Sequence, residues 1–150
     1  MLAIVNAAAV AYRGVIPADR WHEPYMPEAE LRQEIAAGVE FWGLETDDGL
    51  AGVMGVQPVR DVDLIRHAYV RPDSQRHGVG AELIEHLRRH STRRMLVGTW
   101  AAARWAIAFY ERHGFVLATP ERAAALLRTY WTIPERQIET SVVLASPPLA

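Results

Sequence analysis

Cysteine is absent from the 150 residues of this chain. Its absence excludes a disulfide scaffold, a thiolate zinc site and a cysteine nucleophile, and it permits the cytoplasmic location that we predict. The sequence also lacks any run of about 18 consecutive apolar residues, so we expect no transmembrane segment. A formal net charge of −2 at pH 7 leaves no basic surplus to neutralise phosphates, which disfavours a nucleic-acid partner.

Internal repeats and low-complexity segments are missing as well, which excludes solenoids and disordered arrays. With 50% hydrophobic and 23% charged residues, the chain has the composition of one compact domain, since domains commonly contain about 100–150 residues. Residues 1–11 are apolar apart from Asn6. No positive charge precedes them, so they predict a small amphipathic helix and not a signal peptide. We therefore predict a single domain over residues 1–150.

The hydrophobic periodicity predicts an α/β fold of the α+β type, a mixed sheet with helices on both faces. Strands are expected at 41–46, 50–56, 62–70, 94–100, 115–118 and 138–145. Helices are expected at 1–11, 28–37, 80–90, 102–112 and 120–130. The first three strands are expected to form an antiparallel meander, whose first turn is supplied by Asp48-Gly49. Thr119 and Pro120 are the cap and first residue expected at the start of the last helix.

The pattern within these elements also predicts burial. Leu31 and Ile35 would share the buried face of the second helix, and Trp42 and Trp105 fit buried positions on their elements. Two histidines at 86 and 90 stand one helical turn apart on an arginine-rich face. Two ligands are too few for a stable site, so we expect no bound metal.

A glycine-bearing turn lies between the third strand and the helix after it. Its sequence is Gln75-Arg76-His77-Gly78-Val79-Gly80-Ala81. Such a turn presents unpaired backbone N–H groups and the positive end of the helix dipole, and both bind phosphate oxygens. Gly78 and Gly80 permit close backbone approach, and Arg76 can add charge-assisted contacts. The turn therefore predicts a pyrophosphate site, although it lacks the third glycine of a dinucleotide fingerprint and the Lys-Ser/Thr of a Walker loop.

The same segment resembles a known family. Residues 68–83, Ala-Tyr-Val-Arg-Pro-Asp-Ser-Gln-Arg-His-Gly-Val-Gly-Ala-Glu-Leu, are closely similar to the acetyl-coenzyme A (acetyl-CoA) signature Gln/Arg-x-x-Gly-x-Gly/Ala of the GCN5-related N-acetyltransferase (GNAT) family. Residues 106–115, Ala-Ile-Ala-Phe-Tyr-Glu-Arg-His-Gly-Phe, resemble the family's helix-to-strand junction A-x-x-F-Y-x-x-x-G-F. The two motifs follow in the family's order, and the resemblance covers residues 42–115 well.

The resemblance implies an N-acetyltransferase that moves the acetyl group of acetyl-CoA directly to an amine within a ternary complex. It implies a mostly antiparallel sheet in which two strands splay apart, and a homodimer. Ala68, Tyr69 and Val70 would lie along the pantetheine arm, and residues 75–81 would hold the pyrophosphate. Tyr110 would stand near the sulfur and protonate the leaving thiolate, as a general acid or through a hydrogen bond. A free backbone N–H near Val70 could stabilise the oxyanion.

The chain departs from the family pattern at three places. Ala103 stands where many members have an asparagine, and residues 95–100 contain no glutamate to act as general base. The family's first strand either is missing from the sheet or lies upstream of this sequence, which leaves one sheet edge open. Candidates for the base are water and the side chains His67, Asp63, Glu23, His22 and Asp19. His67 has the most suitable intrinsic pKa, and strand alternation places it with Asp63, Ile65 and Tyr69, opposite Arg66 and Ala68.

The acceptor is expected to be a small amine. The resemblance implies that the segment between the first two helices and the late hairpin shape the acceptor site. The first of these stretches contains Trp21, His22, Glu23 and Tyr25, and the second contains the aromatic residues Tyr130 and Trp131. Aromatic side chains closed by an acid or a histidine suit an amine with an apolar or cationic body. Two alternatives stay open: transfer to a protein amino terminus or lysine, and a non-catalytic acyl-CoA-binding module.

Overall fold

The computed structural model describes residues 1–149, without the side chain of Arg20. The helices in this range are α1 (Leu2–Ala9), α2 (Glu28–Ala36), α3 (Val79–His90), α4 (Arg104–Arg112), α5 (Pro120–Tyr130) and α6 (Glu135–Glu139). The strands are β1 (Glu40–Thr46), β2 (Gly49–Val59), β3 (Val62–Val70), β4 (Arg94–Trp100), β5 (Val116–Leu117) and β6 (Ser141–Ser146). Short 3₁₀ turns cover Val10–Tyr12, Ala18–Arg20 and Pro72–Ser74. Across this range, no helix combines the length and the apolar character that crossing a membrane requires.

The six strands form one sheet in the order β1-β2-β3-β4-β6-β5. Every neighbouring pair is antiparallel except β3 and β4, which are parallel. The predicted mixed, mostly antiparallel sheet is therefore confirmed. Within residues 1–149 no strand precedes α1, and β1 forms one edge of the sheet.

The parallel pair β3 and β4 diverges along its length. Its register runs from Val62 opposite Arg94 to Ile65 opposite Val97, whereas β3 continues to Val70 and β4 continues to Trp100. The facing backbone groups beyond the last paired position are thus not used in a ladder between these strands. This confirms the predicted splayed pair and places an opening near the middle of the sheet.

Helices cover both faces of the sheet. On one face α3 and α4 pack on a core that includes Met54, Ile84 and Val97. On the other face α1 contacts Val53 through Ile4 and Val5, and α5 packs through Leu127 on Leu64 and Leu96. Adjacent residues of one strand, such as Leu96 and Val97, join different clusters because strand side chains alternate between faces.

A bulge in β3 breaks that alternation. Arg66 is opposite Gly55 and Tyr69 is opposite Val53, so His67 and Ala68 together face Met54, and His67 has a positive φ of 56°. One extra residue shifts every later side chain to the other face. Ala68 consequently packs with Ile65, while Tyr69 packs against α1. The predicted grouping of His67 with Ile65, opposite Arg66, is wrong, because it assumed an unbroken period of two. The ring of His67 stacks on Phe41 on the α1 side of the sheet, so its predicted placement with Tyr69 and opposite Ala68 is confirmed.

Three further predictions differ from the structure. Residues 138–140 do not belong to the last strand, because Ile138 lies in the short helix α6 and β6 begins at Ser141. Ile35 is 48% exposed and Trp105 is 46% exposed, so each lies at the solvent edge of its helix. Leu31 is buried as predicted, and Trp42 is half-buried against the α3 side of the core.

Candidate active site

The glycine-bearing turn leads directly into α3. Gly78 is the residue that caps the helix, and its φ of 80° lies in the left-handed region that favours glycine. The preceding loop is held by Arg71, which donates to the carbonyl oxygen of Asp48 (3.1 Å) and to the hydroxyl of Ser74 (3.2 Å). The first backbone N–H groups of α3 therefore point out of a fixed turn, as anion binding requires.

Some side chains of the turn are exposed to solvent and one is buried in the core. Those of Gln75, Arg76 and His77 are exposed beside the start of α3, whereas Val79 is buried in the core and offers only its backbone. A Cβ placed on Gly80 would lie 3.1 Å from the ring of Phe109. Gly80 thus lets α3 and α4 approach closely, so the two sequence motifs meet in space at this contact.

A cavity of about 180 Å³ opens where β3 and β4 diverge. Its walls include residues 65–69 of β3 and residues 97–100 of β4. The α4 face contributes Tyr110, and the opposite face contributes Tyr12, Tyr25, Leu127, Trp131, Ile133, Gln137 and Ser141. The cavity therefore passes through the gap in the sheet and is reached by side chains from both faces.

Tyr110 is 6% exposed and lies on α4 with Phe109 and Phe115 around its ring. Burial raises the pKa of its hydroxyl, and the neighbouring Tyr12 adds to the shift. A phenol with a raised pKa keeps its proton at neutral pH. Tyr110 therefore presents a hydrogen-bond donor to the cavity and is not a base.

Tyr12, Tyr25 and Tyr69 form a connected aromatic wall. The ring of Tyr69 meets those of Tyr12 and Tyr25 edge-on, each at 6.4 Å between centroids. Burial is the main cause that raises the pKa of Tyr12 to about 12, and burial likewise raises the pKa values of Tyr25 and Tyr69. The tyrosines of the cavity are therefore uncharged at neutral pH.

His67 lines the cavity at the bulge and contacts a carboxylate of α2. Its Nε2 atom lies 3.3 Å from Oε2 of Glu34, and Arg66 Nη2 lies 3.3 Å from the same oxygen. The contact with His67 is the largest cause that lowers the pKa of Glu34. The carboxylate behind the imidazole holds the orientation of the His67 ring.

Other predicted bases are engaged elsewhere. Asp63 accepts a hydrogen bond of 2.6 Å from Ser91, at the end of β3 away from the cavity. Asp19 pairs with Arg136 (3.1 Å). Glu23 pairs with Arg13 and accepts a hydrogen bond of 3.1 Å from the Trp21 indole. Neither Asp63 nor these two surface carboxylates line the cavity.

Of the four predicted acceptor residues, Tyr25 alone lines the central cavity. Trp21 stacks behind Tyr25 at 5.5 Å, and the His22 ring lies 6.3 Å from Tyr25. Trp21 also borders a second cavity formed with residues 13–18. These side chains therefore buttress the wall of the site from outside.

Several cavity residues were not predicted from the sequence: Glu34 behind His67, and Arg66, Thr99, Leu127, Ile133 and Gln137 in the lining. The aromatic residues at 130–131 gave the only signal for the α5 side, and Trp131 does line the cavity. A Cβ on Gly98 would lie 3.3 Å from its ring. Trp131 thus packs directly on β4 and closes that side of the opening.

The family model described as Acetyltransferase (GNAT) domain matches residues 37–117, which is more than half of the chain. The chain therefore belongs to the GNAT acetyltransferase family, and membership implies acyltransferase activity. No curated protein sequence matches the chain.

Solved structures agree with this assignment. The ribosomal-protein-S18-alanine N-acetyltransferase of Escherichia coli is 25% identical with a TM-score of 0.59, over 88% of this chain and 84% of that one. The PaiA N-acetyltransferase of Thermoplasma acidophilum, in complex with coenzyme A, is 10% identical with a TM-score of 0.63, over 96% and 88%. A GNAT acetyltransferase of Elizabethkingia anophelis with acetyl-CoA bound is 19% identical with a TM-score of 0.61, over 87% and 89%. The last two show likeness of fold alone.

Proposed function

We propose that this protein transfers the acetyl group of acetyl-CoA to the nitrogen of a small-molecule amine in one direct step. The observation that carries the proposal is the single opening between β3 and β4, which Tyr110 reaches from one face and His67 borders. The α3 turn fits a pyrophosphate, because Gly78 caps the helix without a side chain and Arg76 is exposed beside it. Residues 68–70 lie beyond the part of β3 that pairs with β4. They would run beside the pantetheine arm.

His67 and Tyr110 have different roles in the proposed reaction. As the neutral amine nitrogen bonds to the thioester carbon, the carbon–sulfur bond breaks and the nitrogen must lose one proton. His67 accepts that proton, directly or through water, and Glu34 stabilises the resulting imidazolium. Tyr110 donates a hydrogen bond to the departing sulfur. Its raised pKa lies above the ~8.5 of a free thiol, so complete proton transfer from Tyr110 is unfavourable and the thiolate is protonated from solvent.

The test is release of free coenzyme A thiol from acetyl-CoA, measured with purified protein and a panel of small amines. We expect amine-dependent release with formation of the N-acetyl product by mass spectrometry. Stabilisation by acetyl-CoA without release in the presence of any amine would favour a non-catalytic acyl-CoA-binding module.

A protein amino terminus is a second candidate acceptor, favoured by the 25% identity to the Escherichia coli enzyme named for a ribosomal-protein alanine. Peptides with free α-amino groups belong in the same panel. Faster release with peptides than with small amines would support this candidate. The homodimer and the cytoplasmic location stay predictions.

A further inference from the structure

The central cavity is lined by polar groups that carry no negative charge. Among the described residues that line it, none is Asp or Glu, and neither Ala150 nor the Arg20 side chain, which lie outside the description, is an acid. The titratable and charged groups of the lining are Tyr12, Tyr25, Arg66, His67, Tyr69 and Tyr110. The tyrosines are neutral at physiological pH because burial raises their pKa values.

The carboxylates behind this lining either are paired with other side chains or do not reach the cavity. Glu34 of α2 is shared between His67 and Arg66. Glu30, also on α2, raises the pKa of Tyr25 through its charge but does not line the cavity. An ammonium ion in the cavity would therefore meet the guanidinium of Arg66 without a free counter-ion, and burying an unpaired charge is costly.

The cavity is also small and apolar on its outer side. Its volume is about 180 Å³, and an apolar cavity of about 150 Å³ is large enough to bind benzene. Leu127, Trp131 and Ile133 form the α5 side of the wall, and Trp131 is packed on Gly98. The acceptor shares this volume with the acetyl thioester, so the part of the acceptor that enters is at most about the size of one ring.

We propose that the acceptor enters as the neutral form of a weakly basic amine on a ring-sized, apolar body. Resting on the proposed function, this names the substrate class of the same site. At pH near 7.4 an amine with the pKa of lysine, ~10.4, is neutral in about one molecule in a thousand. An amine with a pKa near 7 is mostly neutral at the same pH. A much larger fraction of its molecules is therefore in the form that enters the cavity.

The experiment compares phenylethylamine with 2,2-difluoro-2-phenylethylamine, a weaker base of nearly the same shape. The value of kcat/KM for thiol release is measured against pH for both amines. We expect kcat/KM to rise about tenfold per pH unit, to level off near the pKa of each amine and to stay level above it. At neutral pH the fluorinated amine is expected to be the better substrate by at least tenfold.

A decline of kcat/KM above the pKa of the amine would overturn the proposal, because it would identify the ammonium as the form that binds. A higher kcat/KM for 1,5-diaminopentane than for both aromatic amines would also overturn it. These results would leave the proposed function intact. Absence of thiol release with every amine would instead remove the proposed function, and this inference with it.

A pair of variants tests the charge of the lining separately. Ile133→Glu adds a carboxylate to the cavity wall, and Ile133→Gln adds the same shape without charge. We expect I133E to raise kcat/KM for 1,5-diaminopentane, relative to phenylethylamine, at least tenfold over I133Q. Equal ratios in the two variants, with stabilisation by acetyl-CoA retained in both, would show that cavity charge does not select the acceptor.

Discussion

The Nε2 atom of His67 lies 3.3 Å from the Oε2 atom of Glu34, which joins the bulge of β3 to helix α2. A neutral imidazole can donate from one ring nitrogen and accept at the other. The contact with Glu34 closes the Nε2 side of the ring, so we expect Nδ1 to be the nitrogen that accepts a proton from the acceptor amine. The positive φ of His67 is a strained conformation for a residue with a side chain, and such conformations cluster at functional sites.

Replacing Glu34 by Gln removes the carboxylate that contacts the ring of His67. We expect kcat to fall about tenfold, because the proposed base loses the partner that holds its ring in place. Glu28→Gln, on the exposed side of the same helix where Glu28 pairs with Arg32, is the matched control. An unchanged rate in E34Q would assign proton removal to water or to another group.

Replacing Tyr110 by Phe removes the donor at the sulfur but keeps the ring among Phe109 and Phe115. We expect kcat to fall about 100-fold, the loss typical of removing one hydrogen-bond donor from a developing negative charge, while acetyl-CoA still stabilises the protein. Tyr130→Phe is the control, since Tyr130 lies on α5 outside the cavity lining. Full turnover by Y110F would make Tyr110 a core aromatic without a chemical role.

The tyrosine wall predicts a loss of stability in alkaline solution. Folding raises the pKa of Tyr12 to about 12 from the ordinary value of 10.0. The stabilisation associated with its neutral hydroxyl is therefore complete below pH 10 and is lost as the pH rises from 10 to about 12, because the unfolded chain ionises first. We expect the free energy of unfolding in urea to fall less steeply over this range in Tyr12→Phe. Equal slopes for both proteins would contradict the assigned burial.

Apart from the short helix α6, the sequence was sufficient to predict the order of strands and helices, because their periodicity, the Thr119 cap and the glycine after α4 are local signals. The phosphate-binding role predicted for Gly78 came from the local chemistry of the turn, whereas the splayed strands and the proposed role of Tyr110 came from the family resemblance. The sequence could not reveal the bulge at His67, since one inserted residue leaves no mark on composition and reverses every later face assignment.

The acceptor side was harder to predict for a different reason. Trp21, His22 and Glu23 have the residue types of a binding site, but Glu23 satisfies its charge with Arg13 and Trp21 packs behind Tyr25. The wall is completed by Trp131 and Ile133, which lie on the connection between α5 and α6. Which loop covers a sheet opening depends on tertiary packing, which local patterns do not encode.

The most direct test of the account is thermal unfolding with acetyl-CoA, compared with S-acetylpantetheine, which lacks the pyrophosphate. At ~100 times its dissociation constant, acetyl-CoA is expected to stabilise the fold by ~2.7 kcal/mol, equivalent to about 5–10 °C in Tm. S-acetylpantetheine at the same concentration should give a much smaller shift, as should acetyl-CoA with Gly78→Val, which cannot readily adopt the left-handed φ of 80°. The absence of any shift with acetyl-CoA in the unaltered protein would contradict the coenzyme site, and with it the proposed acetyl transfer.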